Sequence, residues 1–379
     1  MNLAGTNGPV LAGGPRREVA LRPGYHSPQV EVEVRLNTNE SPEPPPEAFV
    51  EALADELRSI AWHRYPDREA TALREALGAY HSVDPAQVFC ANGSNEVIQC
   101  LLLAYGGPGR AAMLFEPTYA LHSHIAHLTG TPLTVGRRDG AFGVDLAEVA
   151  RTVTVANRSH GPASPAVSFL CSPNNPTGGV ETSDTVRAVL ALVPGIVAVD
   201  EAYGQFAPSS ALELLETEPQ LVVVRTFSKT WAMAGLRLGY AIADPSVVAS
   251  LSNVALPYHL DTLKQVAGRI ALGFSDEMQL RVATTIEERG RVTEALSGLP
   301  VEVWPSNANF ILFRVSPRSA SQVWKGLLDH SVLVRDVSDW PGLHGCLRVT
   351  IGTRSEDDRF LAALAEVLSA WGADGSTTE

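Results

Sequence analysis

The sequence predicts an α/β fold, with a large domain built on a mainly parallel sheet and a smaller α+β domain after it. The first observation is that helical stretches alternate from Glu47 onward with short apolar runs, at 110–115, 166–171, 195–199 and 221–227. Such alternation is typical of strands joined by crossover helices. The second observation is a change of pattern after about residue 275, where a long charged helix precedes several short strands.

The elements of the smaller domain follow from the spacing of its apolar residues. Helical spacing extends over roughly 276–298, and a final amphipathic helix is predicted over about 355–371. Between these helices, short apolar runs predict strands at 308–314, 331–335 and 347–351.

Glycine, proline and small polar residues mark both ends of the chain. Residues 1 to about 24 and Gly372 to Glu379 have this composition, so we expect both segments to be mobile. The predicted division is an N-terminal arm over 1–45, a large domain over 46–275, a small domain over 276–371 and a tail over 372–379.

The charge balance of the chain argues against a polyanionic partner. The 379 residues include 29 lysines and arginines and 42 aspartates and glutamates, a formal net charge of -13. The pairs Arg16-Arg17 and Arg137-Arg138 are interpreted as solvated surface charge rather than as a basic patch. Nucleic acid is therefore not an expected partner. The hydrophobic content of 45% is enough to form a core.

The cysteines and apolar segments indicate the compartment. Cys90, Cys100, Cys171 and Cys346 show neither CxxC spacing nor the density of a disulfide framework, so we expect a reducing compartment and no metal. The first residues lack the pattern of a secretory signal, and no segment reaches the length of a membrane span. The expectation is a cytoplasmic protein with no membrane partner.

A lysine with polar neighbours directly follows an apolar run. Lys229 lies between Ser228 and Thr230, and Arg237 follows eight residues later. The ends of strands are where α/β sheets bind ligands. Hydroxyls and a guanidinium can bind a phosphate while the lysine amine bonds covalently to a carbonyl cofactor. A lone lysine at a turn is more often a surface residue, but these neighbours favour a site.

The segment VDEAY places a carboxylate at the same edge of the predicted sheet. Asp200 follows the apolar strand 195–199, where partial burial calls for a cationic partner. The protonated pyridine nitrogen of pyridoxal phosphate is such a partner, and Tyr203 can then hydrogen-bond the phenolic oxygen of the ring. The alternative is a metal-binding or Walker-B-like carboxylate. That alternative is weakened because the chain has no GxxxxGK[ST] motif.

Prolines and glycines define a rigid turn at 171–179, again after an apolar strand. Rigidity allows an asparagine amide to reach a cofactor oxygen at little ordering cost, and Asn175 is the candidate. The alternative is a turn that has no function.

The segment NGSNE leads into a helical stretch, so Gly93 and Ser94 are predicted at a helix start. Free backbone N–H groups there favour a phosphate, whereas the alternative is ordinary N-capping by Ser94.

An aromatic residue follows another predicted strand within the segment FEPTY. Tyr119 can stack on a planar cofactor at that position, and core packing is the alternative.

Several motifs together resemble a known family. The segments SPNNPTG, VDEAY and SKTWAMAGLRLGY, in this order, resemble the class I and II aminotransferases of the fold-type I pyridoxal-phosphate enzymes. More narrowly, the chain is similar to histidinol-phosphate aminotransferases. The segments that carry this likeness are VRLNTNESP, HRYPD, NGSNE, EPTYALH, LPYHL, SNANFILF and VLVRDVSDWPGLHGCLRVTIGT. They extend from about residue 34 to 353.

The resemblance implies roles for residues around the cofactor ring. Lys229 holds pyridoxal 5′-phosphate as a Schiff base and moves the substrate proton. Asp200 pairs with the pyridine nitrogen, Tyr203 and Asn175 hydrogen-bond the ring oxygen, and Tyr119 stacks on the ring.

The resemblance also implies residues for the anionic groups. The cofactor phosphate is bound by Ser94, Asn95, Ser228 and Arg237, and by Tyr65 from the second subunit of a homodimer. The substrate is bound by Arg335 and Arg348, with Asn39 and Tyr25 nearby.

The implied reaction transfers an amino group from histidinol phosphate to 2-oxoglutarate, a step of histidine biosynthesis. Three alternatives stay open: an aminotransferase for aromatic or other amino acids, a decarboxylase with the same cofactor, and a binding domain without catalysis. An aminotransferase for other amino acids would differ from the implied reaction in its side-chain pocket. A decarboxylase would differ in the bond that is broken, because it releases CO2 instead of a proton. The intact Lys229, Asp200 and Arg237 argue against the third, because a binding module needs no lysine that reacts with an aldehyde.

Overall fold

The structure is a computed structural model that describes residue 14 and residues 28–316 and 319–373. Tyr25, the pair Arg16-Arg17 and most of the predicted tail lie outside the described residues. The helices are α1 (Glu47–Leu57), α2 (Thr71–His81), α3 (Ser94–Ala104), α4 (Ala120–Leu128), α5 (Leu146–His160), α6 (Ser183–Leu192), α7 (Pro245–Val254), α8 (Thr262–Leu272), α9 (Ser275–Ser297), α10 (Ala320–Asp329) and α11 (Arg354–Ala373). None of these helices has both the length and the apolar composition that crossing a bilayer requires.

The strands form two sheets. They are β1 (Val34–Leu36), β2 (Val88–Ala91), β3 (Ala112–Glu116), β4 (Leu133–Arg137), β5 (Val167–Cys171), β6 (Ile196–Asp200), β7 (Leu221–Thr226), β8 (Gly239–Ala243), β9 (Val301–Val303), β10 (Phe310–Val315), β11 (Val332–Asp336) and β12 (Cys346–Thr350). The first sheet has the order β2-β8-β7-β6-β5-β3-β4, and the second has the order β1-β11-β12-β10-β9.

The first sheet is mainly parallel, which confirms the predicted fold class. Strands β4, β3, β5, β6 and β7 pair in parallel, whereas β8 runs antiparallel to both β2 and β7. Every residue of β5, β6 and β7 is buried, because helices cover both faces of the sheet. Successive residues point to opposite faces, so Val197 and Val199 join one apolar cluster and Ala198 joins the other.

The second sheet agrees with the strands predicted for the smaller domain. Strands β10, β11 and β12 lie within two residues of the expected positions, and the long helix and the final helix are also where they are expected. Helices α9, α10 and α11 pack on this sheet around a separate apolar cluster. Strands β1 and β9 are not predicted from the sequence, because three residues are too few to show an alternation. Strand β1 comes from the N-terminal arm and pairs in parallel with β11.

The interpretation of Arg137-Arg138 as solvated charge is wrong for Arg138. Arg137 is exposed, but the side chain of Arg138 is buried. It donates from Nη1 to Oε1 of Glu181 at 2.5 Å and to the carbonyl of Phe142 at 2.9 Å. The counter-charge lies 43 residues away in the sequence, which is why the local pattern does not reveal it. A buried arginine requires such a partner.

The carboxyl ends of β3, β5, β6 and β7 lie at one edge of the first sheet. The segments that follow these strands are 117–119, the turn 172–179, 201–203 and 227–229. Each segment carries residues singled out above, and this edge is where α/β sheets bind ligands.

Candidate active site

A cavity of about 220 Å³ lies at this edge, between the first sheet and strand β12 of the second. The predicted residues that line it are Lys229, Asp200, Tyr203, Asn175, Tyr119, Ser94, Asn95, Ser228, Arg237, Arg348 and Asn39. The other lining residues are Asn37, Thr38, Cys171, Ala202 and Thr226. Side chains from well-separated segments of the sequence therefore meet in one place.

Lys229 follows the end of β7 by three residues and is half-buried. Its Nζ donates a hydrogen bond to the carbonyl of Thr38 at 3.0 Å. The same nitrogen lies 5.8 Å from the centroid of the Tyr203 ring. The amine is thus held at the wall of the cavity.

The surroundings of Lys229 favour its neutral amine. Burial, the guanidinium of Arg348 and the guanidinium of Arg237 lower the pKa of Lys229 from 10.5 to about 7, although Glu40 acts in the opposite direction. Near neutral pH a large fraction of this amine is therefore unprotonated. An unprotonated lysine amine is a nucleophile and a base, which is the chemistry needed for covalent attachment to an aldehyde.

Asp200 is the last residue of β6 and is 1% exposed. Its Oδ1 accepts from the backbone N–H of Ala202 at 3.1 Å, and its Oδ2 lies 3.0 Å from Nε2 of His122. The imidazole of His122 is itself buried and stacks on Phe169, with ring centroids 4.6 Å apart. A carboxylate held this rigidly in a buried place suits a cationic ligand.

His122 is a site residue that the sequence analysis does not single out. It belongs to the segment EPTYALH, in the first turn of α4 and three residues after the N-cap residue Tyr119, and the two rings lie with centroids 5.4 Å apart. That spacing is the only signal in the sequence. The partner carboxylate is 78 residues away, and only the fold brings the two together.

Tyr203 and Asn175 are oriented by hydrogen bonds to neighbouring residues. The hydroxyl of Tyr203 accepts from Nδ2 of Asn39 at 2.9 Å. Oδ1 of Asn175 accepts from Nη1 of Arg348 at 2.5 Å. Burial raises the pKa of Tyr203, so its hydroxyl keeps a proton to donate. The Tyr203 proton and Nδ2 of Asn175 are therefore suited to an acceptor in the cavity.

A glycine at the start of α3 makes room for the Arg237 guanidinium. Gly93 has φ +81°, and a Cβ there would lie 2.9 Å from Nη2 of Arg237. Nη1 of Arg237 is 3.3 Å from the hydroxyl of Ser228. Ser94 is the first residue of the helix, and Gly93 holds the N-cap position without a side-chain bond, so the N-capping alternative for Ser94 is wrong. Helix N–H groups, a hydroxyl and a guanidinium together suit a phosphate.

Tyr119 contributes its ring to the cavity wall. Its hydroxyl donates to Oδ1 of Asn95 at 3.1 Å, and its ring is perpendicular to that of His122. The residue also packs against one apolar cluster of the first sheet. Both the stacking hypothesis and the core-packing alternative therefore agree with its position.

Three predicted residues are not among the described residues that line the cavity. Arg335 is buried on β11, directly opposite Arg348 on β12. Tyr65 is 80% exposed, and its ring stacks on that of Tyr258 at 4.6 Å. Tyr25 lies outside the part of the chain that the structure describes.

Comparison with known proteins identifies relatives over nearly the whole chain. A family model for aminotransferases of class I and II matches residues 31–364. A histidinol-phosphate aminotransferase of Thermobifida fusca is 47% identical over 350 residues, which cover 90% of this chain and 91% of that protein. One of Mycolicibacterium vanbaalenii is 45% identical over 357 residues, which cover 90% of this chain and 92% of that protein.

Solved structures share the fold. The crystal structure of histidinol-phosphate aminotransferase from Sinorhizobium meliloti in complex with pyridoxal-5′-phosphate gives a TM-score of 0.81 at 23% identity, covering 90% of this chain and 92% of that one. A putative histidinol-phosphate aminotransferase from Erwinia carotovora atroseptica gives 0.81 at 24% identity, covering 89% and 96%. The chain belongs to the class I and II aminotransferases.

Proposed function

We propose that this chain is a pyridoxal 5′-phosphate-dependent aminotransferase that converts histidinol phosphate and 2-oxoglutarate into imidazole-acetol phosphate and glutamate. The observation that carries the proposal is that Lys229, with a pKa lowered to about 7, and the buried carboxylate of Asp200 line the same cavity. The curated relatives, 45% to 47% identical, support the choice of substrates.

The residues of the cavity fit this cofactor. The positive φ of Gly93 and the close approach of Arg237 form a cradle that a side chain would fill, and this cradle suits the phosphate. A Cβ at Gly239 would lie 2.4 Å from the backbone nitrogen of Ser94, so the α3 start also depends on a glycine in the neighbouring strand. Asp200 suits the protonated pyridine nitrogen, and Tyr203 and Asn175 supply donors for the ring oxygen. Ser94, Asn95, Ser228 and Arg237 hold the phosphate in this proposal, and Tyr119 stacks on the ring.

When bound, the cofactor supplies an electron sink for the negative charge that develops when the donor loses its α-proton. Asp200 keeps that sink cationic, and His122 and the backbone of Ala202 keep Asp200 in place. Nζ of Lys229 accepts the proton from the carbon that carries the amino group and holds it for return. Because the donor and the acceptor react in turn at one site, and the first product leaves before the second substrate binds, ping-pong kinetics are expected.

Arg348 is suited to the anionic end of the substrates. Its guanidinium is buried, donates to the carbonyl of Asn37 at 2.8 Å and lies 5.2 Å from the ring centroid of Phe310. A guanidinium can form two parallel hydrogen bonds to a phosphate ester or to a carboxylate. One arginine can therefore bind both the amino donor and the 2-oxo acid that accepts the amino group. Arg335 lies opposite Arg348 on the neighbouring strand and is the second cation of this proposed subsite. Asn39 lines the same cavity as Arg348.

Comparison of amino donors tests the proposed substrate. With 2-oxoglutarate as acceptor, kcat/KM for histidinol phosphate is expected to exceed that for phenylalanine and tyrosine by at least about 100-fold, because a phosphate ester brings more negative charge and one more oxygen to the two buried arginines than a carboxylate does. Glutamate is the expected product. Preference for an aromatic amino acid would favour the first alternative, and release of CO2 without glutamate would favour a decarboxylase.

The exposed Tyr65 supports a homodimer with shared sites. Tyr65 and Tyr258 stack on each other, and Trp62 and Leu256, which lie three and two residues before them in the sequence, are 67% and 76% exposed. Exposed apolar clusters of this kind are typical of protein interfaces. In this proposal, Tyr65 binds the cofactor phosphate of the second subunit.

Mixing of variants tests the shared site. Tyr65→Ala is expected to weaken cofactor binding by about 10-fold, because one phosphate hydrogen bond is lost, and Lys229→Ala is expected to be inactive. A heterodimer of the two has one complete site, so mixing them should restore cofactor affinity and activity together. A monomer that is fully active in sedimentation experiments would exclude the shared site. So would the failure of activity to return after the two variants are mixed under conditions in which their subunits exchange.

The domain division and the compartment are also proposals. Most of the second sheet packs in an apolar cluster of its own, which supports a large domain over 46–275 and a small domain over 276–371. Met278, Val282, Ala308 and Phe310 instead belong to a cluster of the first sheet, so they form the contact between the two domains. The four cysteines are free and buried, which supports a cytoplasmic location. Limited proteolysis within 273–276 that releases two folded fragments would agree with this division, and cleavage elsewhere would not.

A further inference from the structure

Thr350, the last residue of β12, is buried beside the cavity and makes two hydrogen bonds to one residue. Its Oγ1 accepts from the backbone N–H of Asn39 at 2.9 Å and donates to Oδ1 of Asn39 at 3.1 Å. Nδ2 of Asn39 donates to the hydroxyl of Tyr203 at 2.9 Å. A chain of hydrogen bonds thus runs from the second sheet to a residue at the end of β6 in the first.

The chemistry of the groups fixes the direction of every bond in this chain. A backbone N–H only donates, so Oγ1 of Thr350 must accept from it, and the Thr350 proton is free for Oδ1 of Asn39. The amide of Asn39 must then present Nδ2, which only donates, to Tyr203. The hydroxyl of Tyr203 accepts that bond, and its own proton remains for a different acceptor.

The backbone around Asn39 allows little rearrangement. Asn39 has φ +54°, in the left-handed region, and is 1% exposed. Nδ2 of Asn309 donates to the carbonyls of Asn39 at 3.2 Å and of Glu40 at 3.3 Å. Asn309 also belongs to the second sheet region, directly before β10. Asn39 is therefore held by hydrogen bonds to Thr350 of β12 and to Asn309 directly before β10.

We infer that Thr350 is a positioning residue, which sets the amide orientation of Asn39 and so directs the proton of Tyr203 toward the cavity. The inference rests on the proposed function, in which the cofactor ring oxygen is the acceptor of that proton. Arg348, two residues earlier on the same face of β12, fixes Oδ1 of Asn175 in a similar way. One face of β12 thus orients both donors to the ring oxygen.

Thr350→Val tests the inference, because valine has the same shape but neither accepts nor donates. Without the Thr350 hydroxyl the Asn39 amide can turn, and its oxygen then takes the Tyr203 proton away from the ring oxygen. A ring oxygen that lacks this donor holds more negative charge and stabilises the proton on the nitrogen that joins Lys229 to the cofactor. Loss of this proton changes the absorbance of the bound cofactor, so a pH titration of the holoenzyme gives a midpoint for it. In Thr350→Val this midpoint is expected to rise by about one pH unit, which corresponds to the free energy of one hydrogen bond.

Two further comparisons separate positioning from a purely structural role. Thr350→Ser keeps the hydroxyl and is expected to retain the wild-type midpoint. In a Tyr203→Phe background the midpoint is already raised, and Thr350→Val is expected to add nothing, because the effect passes through Tyr203. An unchanged midpoint in Thr350→Val, or an equal shift in both backgrounds, overturns the inference.

If Thr350→Val does not bind the cofactor, Asn39→Asp replaces it in the same comparison. Aspartate tolerates the left-handed backbone but cannot donate to Tyr203. The charge of the aspartate raises the pH midpoint both in the wild-type background and in the Tyr203→Phe background. A larger rise in the wild-type background supports the inference, and equal rises in the two backgrounds overturn it. Cofactor attachment to Lys229 in the wild-type protein is checked first. Its absence refutes the proposed function, whereas attachment with no effect of these variants refutes only the role of Thr350.

Discussion

Replacing Lys229 by alanine is expected to abolish transamination, with kcat reduced by at least about 10⁴-fold, the upper range for loss of a positioned acid-base group. The loss has two physical causes. The only lysine among the cavity-lining described residues is removed, so neither the covalent bond to the cofactor nor the transfer of the α-proton can occur. Glutamate production from histidinol phosphate and 2-oxoglutarate measures the effect.

The fold should survive this substitution. Lys229 makes its hydrogen bond to a backbone carbonyl at the cavity wall and contributes little to the apolar clusters. Lys325→Ala is the matched control, since Lys325 lies on the surface in an ion pair with Asp329 and should retain full activity. Turnover of Lys229→Ala at the wild-type rate would refute the assignment of Lys229.

Asp200→Asn is expected to reduce kcat by about 10³-fold while KM changes much less, because a buried charge that acts in the transition state is lost. Asparagine has the same shape, and its amide can still bond to the backbone of Ala202 and to His122. It has no charge to keep the pyridine nitrogen protonated. Steady-state kinetics with both substrates separates kcat from KM.

The control for this prediction is Asp184→Asn. Asp184 pairs with Arg187 on the surface of α6, with a side chain that is 93% exposed, so the variant should behave as wild type. If Asp200→Asn retained kcat within threefold of wild type (roughly 0.7 kcal/mol), the carboxylate would not act on the cofactor ring.

The centre of the first sheet could be predicted because strands β3, β5, β6 and β7 are continuous apolar runs, whereas β2, β4 and β8 were not predicted. Strands β5, β6 and β7 are buried on both faces, so their sequences differ clearly from the amphipathic helices between them. The same runs locate the site, because polar residues that directly follow parallel strands meet at one edge. Lys229, Asp200 and Asn175 were recognisable for this reason.

The remaining features depend on contacts between distant segments. Glu181 neutralises Arg138, and His122 holds Asp200, but neither pair has a signature in the local sequence. Thr350 is 311 residues from Asn39, and only the packing of β12 against the N-terminal arm brings them together. Such residues can be found only after the strand order is known.

Reduction of the holoprotein with borohydride, followed by peptide mass analysis, tests whether Lys229 carries the cofactor. A pyridoxyl group is expected to become fixed on the peptide that contains Lys229 and on no other peptide. Fixation at a different lysine, or no fixation in protein that has bound the cofactor, would contradict the role of Lys229.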